Sequence, residues 1–569
     1  MSLLPWCVAV PFACGALLLA ASRFVGRQLT TIISVSVAVA TAGLCGAVVR
    51  SACAQGTLVY WFGGWHPGNG IGLGIAFGVE PLGASVALGV AVVTIATLFY
   101  AHRLFDDVGV IFDVLVLVHL AAAIAFVYTA DLFDMLVFYE LTSVIEFALA
   151  GFQVTKRIAV RGAFNFAIAT GLGAFSIIFG LTLLEGKTGQ LNAVAIGESL
   201  IRVPTPVLAA CAFGLIASGL LIKAAVPPFH FWFVDAQTAA PTPVGVLFSG
   251  VVSVLGIYAL ERTWTMTFAS APGTDATIVH GILATFGLIG ALGAALLSFT
   301  AADLKRAIAF AAAANTALFA AAGIAADERS LTATVCLAMG FIFSIAALAM
   351  WIGILEGRLG TVLDDEYAGR GRALTGSMVL GIAAIIAIAG MPPVPTALGR
   401  ALLPAPFAAC SVLTAGLIAA RFTVAAWQAY VVSPSRDAEI PGREPSQWFL
   451  IGPALILATA AFGVAAIPWS GIVVGVGAFA GPHTIADALL HHSLPLPKPS
   501  VVEPPLANVL LLAGATILVA AGAAAARPVV RRLAAVRRLH DIHNGSVGDY
   551  VTWLASGVAA VTGILVMLR

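Results

Sequence analysis

Long apolar runs separated by short polar loops fill this chain, and their lengths set the fold. A bilayer-spanning helix needs about 20 mostly apolar residues. Stretches of that kind occur near 3–22, 28–49, 81–100, 110–130, 132–152, 162–184, 206–226, 241–260, 278–298, 307–326, 331–355, 373–394, 401–430, 446–468, 506–526 and 550–568. About sixteen spans are predicted, with no polar block of domain size between them, so the fold class is an all-α polytopic membrane protein. The opening run from Met1 has no basic stretch before it and reads as a first transmembrane helix, not a cleaved signal.

Charge along the loops orients the spans. Counted alternately from an outside N-terminus, Arg23, Arg27, Lys156, Arg157, Arg161, Lys305, Arg306, Arg358, Arg370 and Arg372 all fall on the cytoplasmic side, as the positive-inside rule requires. Counting 469–486 as a further span would send Arg527, Arg531, Arg532, Arg537 and Arg538 outside, so that stretch is predicted not to span. RPVVRRLAAVRRLHDIH (527–543) then becomes a basic amphipathic segment on the cytoplasmic surface, a topology anchor beside anionic lipid or a docking helix for a partner. GTLVYWFGGWHPGNGIGLGIAFGV (56–79), rich in Gly and aromatic residues, is predicted to form a short outer hairpin.

Composition narrows the function. Of 569 residues 60% are hydrophobic and 10% charged, with a net charge of +1, against about 25% charged residues in an ordinary soluble domain. The mean hydropathy is +1.03. Nothing in this balance suggests nucleic acid. The seven cysteines (Cys7, Cys14, Cys45, Cys53, Cys211, Cys336 and Cys410) are scattered without CxxC spacing, so no disulfide framework, zinc site or iron–sulfur cluster is expected. No phosphate-binding Gly-rich loop or acidic metal-binding run is present, and no cofactor is predicted.

The spans from about 110 to 260 form one group of five, and those from about 278 to 430 form another. An odd number per unit sets the two in opposite orientations, as in the inverted repeats of secondary transporters. The predicted organisation is an N-terminal three-helix segment with the hairpin (1–109), a first repeat (110–261), a second repeat (278–430) and C-terminal helices with the basic segment (446–569). Both repeats carry a predicted break. Pro227 and Pro228 follow Lys223, and Pro392, Pro393 and Pro395 precede Arg400. Proline removes a helix donor and clashes with the carbonyl four residues back. Non-helical backbone at membrane depth is tolerated only where it is buried in protein or lines a water-filled cavity.

Glu140 lies deep in the span DLFDMLVFYELTSVIEFALAGF (131–152). A charge there costs at least about 2.5–3.5 kcal/mol, so it must be paired, hydrated or protonated, and Lys223 is the expected partner. Such a pair can store and release a proton, or it can be a static ion pair locking two helices. Glu146 is about 240° round the helix from Glu140 and is expected at the interface. His119, alone in its span, reads as a satisfied core histidine. Glu80 marks the start of a span. Asp303, Lys305 and Arg306 read as a solvated ladder at a cytoplasmic helix end.

Four stretches carry a family resemblance: LVFYELTSVIEFALAGF (136–152), LLIKAAVPPFHFWFVDAQTAAPTPV (220–244), DLKRAIAFAAAANTALF (303–319) and GMPPVPTALGRALL (390–403). Over roughly 75–430 the chain resembles the antiporter-like membrane subunits shared by respiratory complex I, Mrp-type cation/proton antiporters and group 4 membrane-bound hydrogenases. HNGSVGDYVTW (543–553) is similar to the tail of the hydrogenase-type and longer complex I-type members. The resemblance implies about fourteen core helices in two inverted five-helix units, here with two further C-terminal helices. It implies Glu140 and Lys223 as the acid–base pair of the first half-channel and places His230 in the loop after the broken helix. It also exposes departures. Val254 stands where the family often has Lys or His, Ser344 where a lysine is expected, and Arg400 where the exit lysine or glutamate would be.

These features predict an ion-translocating, antiporter-like subunit of a multi-subunit complex in the cytoplasmic membrane. H⁺ is the expected ion, with Na⁺ exchange open. The chain itself does no covalent chemistry, and its partners are other membrane subunits and lipid. Ion translocation centres on Glu140, Lys223, His230 and Arg400, with Glu80, His119, Asp303 and Lys305 as secondary candidates. Two alternatives remain open: a scaffold subunit that keeps the fold without full conduction, favoured by the missing lysines, and a transporter coupling protons to bicarbonate or another solute.

Overall fold

The computed structural model describes residues 3–67, 74–102, 110–324, 327–364, 366–433, 448–480, 488–489, 501–543 and 545–568. A helix occupies every stretch predicted to span. Among the described residues, eleven helices are long and apolar enough to cross a membrane, or twelve if the bent pair Leu450–Ala466 and Trp469–Ala480 counts as one. The others fall short for visible reasons. Leu4–Ala20 has 17 residues and Thr375–Ile388 has 14. Leu132–Ala150 carries Asp134, Glu140 and Glu146, and Leu304–Ala322 is alanine-rich with Lys305 and Arg306 in its first turn.

Trp469–Ala480 turns by 89° from the helix before it. Its 12 residues reach about 18 Å at the usual rise, less than a bilayer core of about 30 Å. Residues 481–486 of the stretch predicted not to span lie outside the described residues. The outer hairpin pairs Leu58–Trp61 antiparallel with Ala76–Val79, Leu58 opposite Val79 and Trp61 opposite Ala76; residues 68–73 at its tip lie outside the described residues.

Both proline-marked breaks are present. The first helix ends at Lys223 and resumes as Phe231–Ala239. Ala225, in the left-handed region at φ 55°, turns the backbone out of the helix. The carbonyls stranded at such an end need donors, and the Trp232 indole supplies one, donating to Ile222 O at 3.1 Å. In the second break Thr375–Ile388 gives way to Pro395–Leu402, turning at Gly390 with φ 66°. The long segment Thr242–Phe268 contains two π-helical turns, Phe248–Val252 and Trp264–Phe268.

Small residues bring the helices round the first break together. A Cβ on Gly219 would stand 2.5 Å from Gly173 O, so Pro206–Lys223 meets Arg157–Thr188 backbone to backbone.

The C-terminal part differs from expectation at one point. Arg527 is not on a surface segment: it belongs to the helix Leu506–Val530, is buried, and points into the protein. The amphipathic piece is the shorter Ala534–Asp541. The reason is a buried acidic partner, Asp364, that a loop-charge count cannot register. Leu506–Val530 packs on Ala405–Tyr430, while the last helix, Val547–Leu568, packs on Pro206–Lys223. Ala534–Asp541 therefore straps one side of the molecule to the other.

Candidate functional site

The Lys223 ammonium is fully buried at the end of its broken helix. It donates to Thr142 Oγ1 at 3.0 Å, Ser143 Oγ at 3.0 Å and Glu146 Oε2 at 2.6 Å, which uses all three of its N–H donors. The Tyr139 ring lies beneath, 5.2 Å from Nζ. Residues 139, 142, 143 and 146 are spaced i, i+3, i+4, i+7, so one face of Leu132–Ala150 makes the whole cradle. The other carboxylate oxygen, Glu146 Oε1, is 3.0 Å from His119 Nε2. That arrangement leaves His119 Nδ1 buried without a partner among the described residues. The chain His119–Glu146–Lys223 thus links three titratable groups across three helices.

The partner of Lys223 is therefore Glu146, which was expected at the interface, and His119 is part of the cluster instead of a lone core histidine. Among the described residues no hydrogen bond or ion pair joins Glu140 to Lys223, although the two charges lie close enough to attract each other. Glu140 is half-buried in a stripe with Phe133, Val137 and Val144, which are 44%, 45% and 47% exposed. The two carboxylates do lie on different faces, as their spacing requires, but the inward face belongs to Glu146. The signal that could have found it is the polar stripe Tyr139, Thr142, Ser143, Glu146.

His230 is buried just past the break. Its Nε2 is 3.0 Å from Nε2 of His543, which lies just beyond the Ala534–Asp541 strap, and its Nδ1 has no partner among the described residues. Beside this pair a cavity of about 170 Å³ opens among Arg161, Asp235, Arg306 and His543, and Asp235 accepts from Asn165 Nδ2 at 2.8 Å. Burial, aided by nearby Arg306, pushes the His540 and His543 imidazoles down to about 4. Groups whose docked pKa lies below the ordinary value of about 6.5 favour docking fully above that value, and the contribution is lost as pH falls from about 6.5 toward about 4. Acidification through this window is expected to lower the amide protection factors, which are corrected for the pH dependence of intrinsic exchange, in 534–543 by about tenfold or more per imidazole, with little change in the Pro206–Lys223 helix.

Arg400 is buried at the second break. It donates from Nη1 to Thr516 Oγ1 at 2.8 Å, from Nε to Ser411 Oγ at 3.2 Å and from Nη2 to Ala389 O at 3.1 Å. Its partners are hydroxyls and the carbonyl end of the broken helix, where a cation is favoured. Ser344 Oγ closes on its own helix at Gly340 O, 2.5 Å away.

Glu80 does more than begin a helix. It accepts from Gly83 N at 3.1 Å, pairs with Arg262 Nη1 at 2.6 Å and accepts from Tyr258 OH at 2.7 Å, all buried. Asp303 caps its helix by accepting from Arg306 N at 3.0 Å. Lys305 pairs with Glu356 at 2.8 Å and donates to Ala240 O at 3.2 Å, so this cluster ties helix ends together and is only partly exposed. Among the described residues no group of three His, Cys, Asp or Glu is placed to hold a metal ion.

Comparison with known proteins fits this architecture. Residues 129–423 match the family described as NADH:quinone oxidoreductase/Mrp antiporter, TM. NADH-quinone oxidoreductase subunit N of Deinococcus radiodurans is 27% identical over 55% of this chain and 62% of its own length. The subunit N of Rubrobacter xylanophilus is 24% identical over 70% of this chain and 80% of its own. The alignments to the first two curated relatives span under two thirds of those proteins, 62% and 66%. Two solved structures share the fold. A chain of the archaeal membrane-bound sulfane sulfur reductase has a TM-score of 0.75 at 20% identity, covering 86% of this chain and 99% of that one. A chain of the Mrp complex from Dietzia sp. DQ12-45-1b has a TM-score of 0.71 at 21% identity, covering 86% and 97%.

Proposed function

Since the chain belongs to the NADH:quinone oxidoreductase/Mrp antiporter transmembrane family, we propose that this multi-pass, antiporter-like subunit moves protons within a multi-subunit energy-converting complex of the cytoplasmic membrane. The observation that carries this reading is the buried chain His119–Glu146–Lys223 at a broken helix. Proton transfer needs groups that change charge and lie within hydrogen-bond reach of one another. Lys223 sits where the helix opens, so a shift in the break moves the ammonium toward or away from Glu146 and hands the charge on. On the cytoplasmic side the cavity beside Asp235, His543 and His230 supplies an entrance.

The relative is named as a subunit and the two similar structures are of complexes, which supports this reading, as does the exposed stripe around Glu140. A carboxylate among lipid-facing side chains costs at least about 2.5–3.5 kcal/mol, a penalty removed when a neighbouring membrane subunit covers it. The scaffold reading is favoured by one observation: the self-bonded Ser344 and the carboxylate-free Arg400 leave the second half without a carboxylate or lysine where the family uses them, and Val254 removes a further group from the first.

The test is ion translocation by the intact complex in sealed vesicles. Lys223→Ala and Glu146→Gln are each expected to lower the rate by about 10²-fold, and Glu140→Gln to act less. Wild-type rates in both Lys223→Ala and Glu146→Gln would establish the scaffold.

A further inference from the structure

Glu261 is a buried carboxylate that the site above does not use. It lies near the end of Thr242–Phe268 and is 6% exposed, and among the described residues its Oε1 has no hydrogen-bond partner and no ion pair reaches it. It borders a cavity of about 60 Å³ with apolar walls drawn from both halves of the chain: Val254 and Tyr258 on its own helix, Phe319, Thr334 and Leu331 from the second half, and Leu82. Gly323 comes so close to the carboxyl that no Cβ fits there. Val254 and Glu261 are seven residues apart, so they share a helix face and line the same space. The titratable group absent at Val254 reappears two turns further along.

Other charges do not neutralise it. Tyr258 lines the cavity but is engaged with Glu80 and Arg262, and Arg262 itself pairs with Glu80. From the second half, Glu328 opens its helix one turn before Leu331. A lone carboxylate in an apolar wall cannot stay ionised without a counter-charge and takes up a proton instead.

We infer that Glu261 is a proton-binding site of the translocation route, lying between the two halves of the chain and serving in place of the group missing at Val254. This rests on the proton-translocating reading above. In each cycle the carboxyl gives its proton to a water on one side and regains one from a water on the other, so charge and atoms balance with no other reactant.

The experiment uses the intact complex in vesicles. Glu261→Gln, which keeps shape and loses the proton, is expected to lower translocation by about 10²-fold, while Glu261→Asp retains it with a displaced pH profile. In wild type, raising the pH should remove the infrared C=O band of a protonated carboxyl, and that change should be absent in Glu261→Gln. Normal translocation in Glu261→Gln with loss in Lys223→Ala would overturn the Glu261 site and leave the broader reading intact. Normal rates in both variants would overturn the two together. If Glu261→Gln fails to assemble, the infrared change in wild type and its displacement in Glu261→Asp decide, and a spectrum without the band overturns the site.

Discussion

Glu146→Ala is expected to destabilise the protein by about 3–5 kcal/mol and to stop translocation, the larger effect of any single change in the first half. Lys223 spends its three donors on Thr142, Ser143 and Glu146. Removing the carboxylate strands an ammonium that has no access to water. Thermal unfolding in mild detergent, followed by tryptophan fluorescence, reads the loss as a lowered Tm. Glu146→Gln with Lys223→Met should recover most of that stability, because exchanging both members of a buried pair for uncharged groups removes the desolvation cost along with the attraction. Translocation should stay absent in the double variant. Glu140→Ala, on the half-buried face, is expected to change stability by about 0.5 kcal/mol or less. If Glu146→Ala unfolded no earlier than Glu140→Ala, the assignment of the buried cluster would be wrong.

Asp364→Ala is the second large change. Asp364 binds Arg421 at 2.8 Å, Arg527 at 2.7 Å and Arg531 at 3.3 Å, and Tyr367 OH donates to it at 2.8 Å. One carboxylate thus serves three guanidinium groups, two of them buried. Without it Arg421 and Arg527 face each other inside the protein, a cost again of at least about 3–5 kcal/mol. Because Arg527 belongs to Leu506–Val530, the expected result is release of that helix, seen as rapid hydrogen exchange and protease cleavage over 506–541. Translocation at Lys223 should suffer less than in Glu146→Ala. Unchanged exchange in 506–541 would show that helix packing alone retains the segment.

Much of the architecture was readable from local chemistry. Pro227 and Pro392 lack donors, so the helices had to stop beside them, and the Gly- and aromatic-rich stretch between the second and third spans formed the expected strands. The choice between Glu140 and Glu146 was not readable in the same way. Leu132–Ala150 is apolar nearly all round, and such a helix gives no amphipathic direction; the deciding residues were the small hydroxyls Thr142 and Ser143, weak signals singly and clear as a stripe. Arg527 was misplaced because a tally of basic loop residues treats every arginine as facing water, whereas its partner lies 163 positions away in sequence. Glu261 escaped because it sits beside Arg262, and an adjacent opposite charge looks self-compensating. On a helix, neighbours i and i+1 diverge by about 100°, and Arg262 turned to Glu80.

The dependence of interior groups on the final segment has a consequence for biosynthesis. Arg400 receives the Thr516 hydroxyl, and Asp364 receives Arg527, from a stretch translated more than a hundred residues later. While the ribosome is still making 506–530, the second half already inserted in the bilayer carries cations and an acid whose arrangement is incomplete. The nascent chain is therefore exposed to quality control until Leu506–Val530 has entered the membrane, and assembly with other subunits before that moment would trap an immature interior.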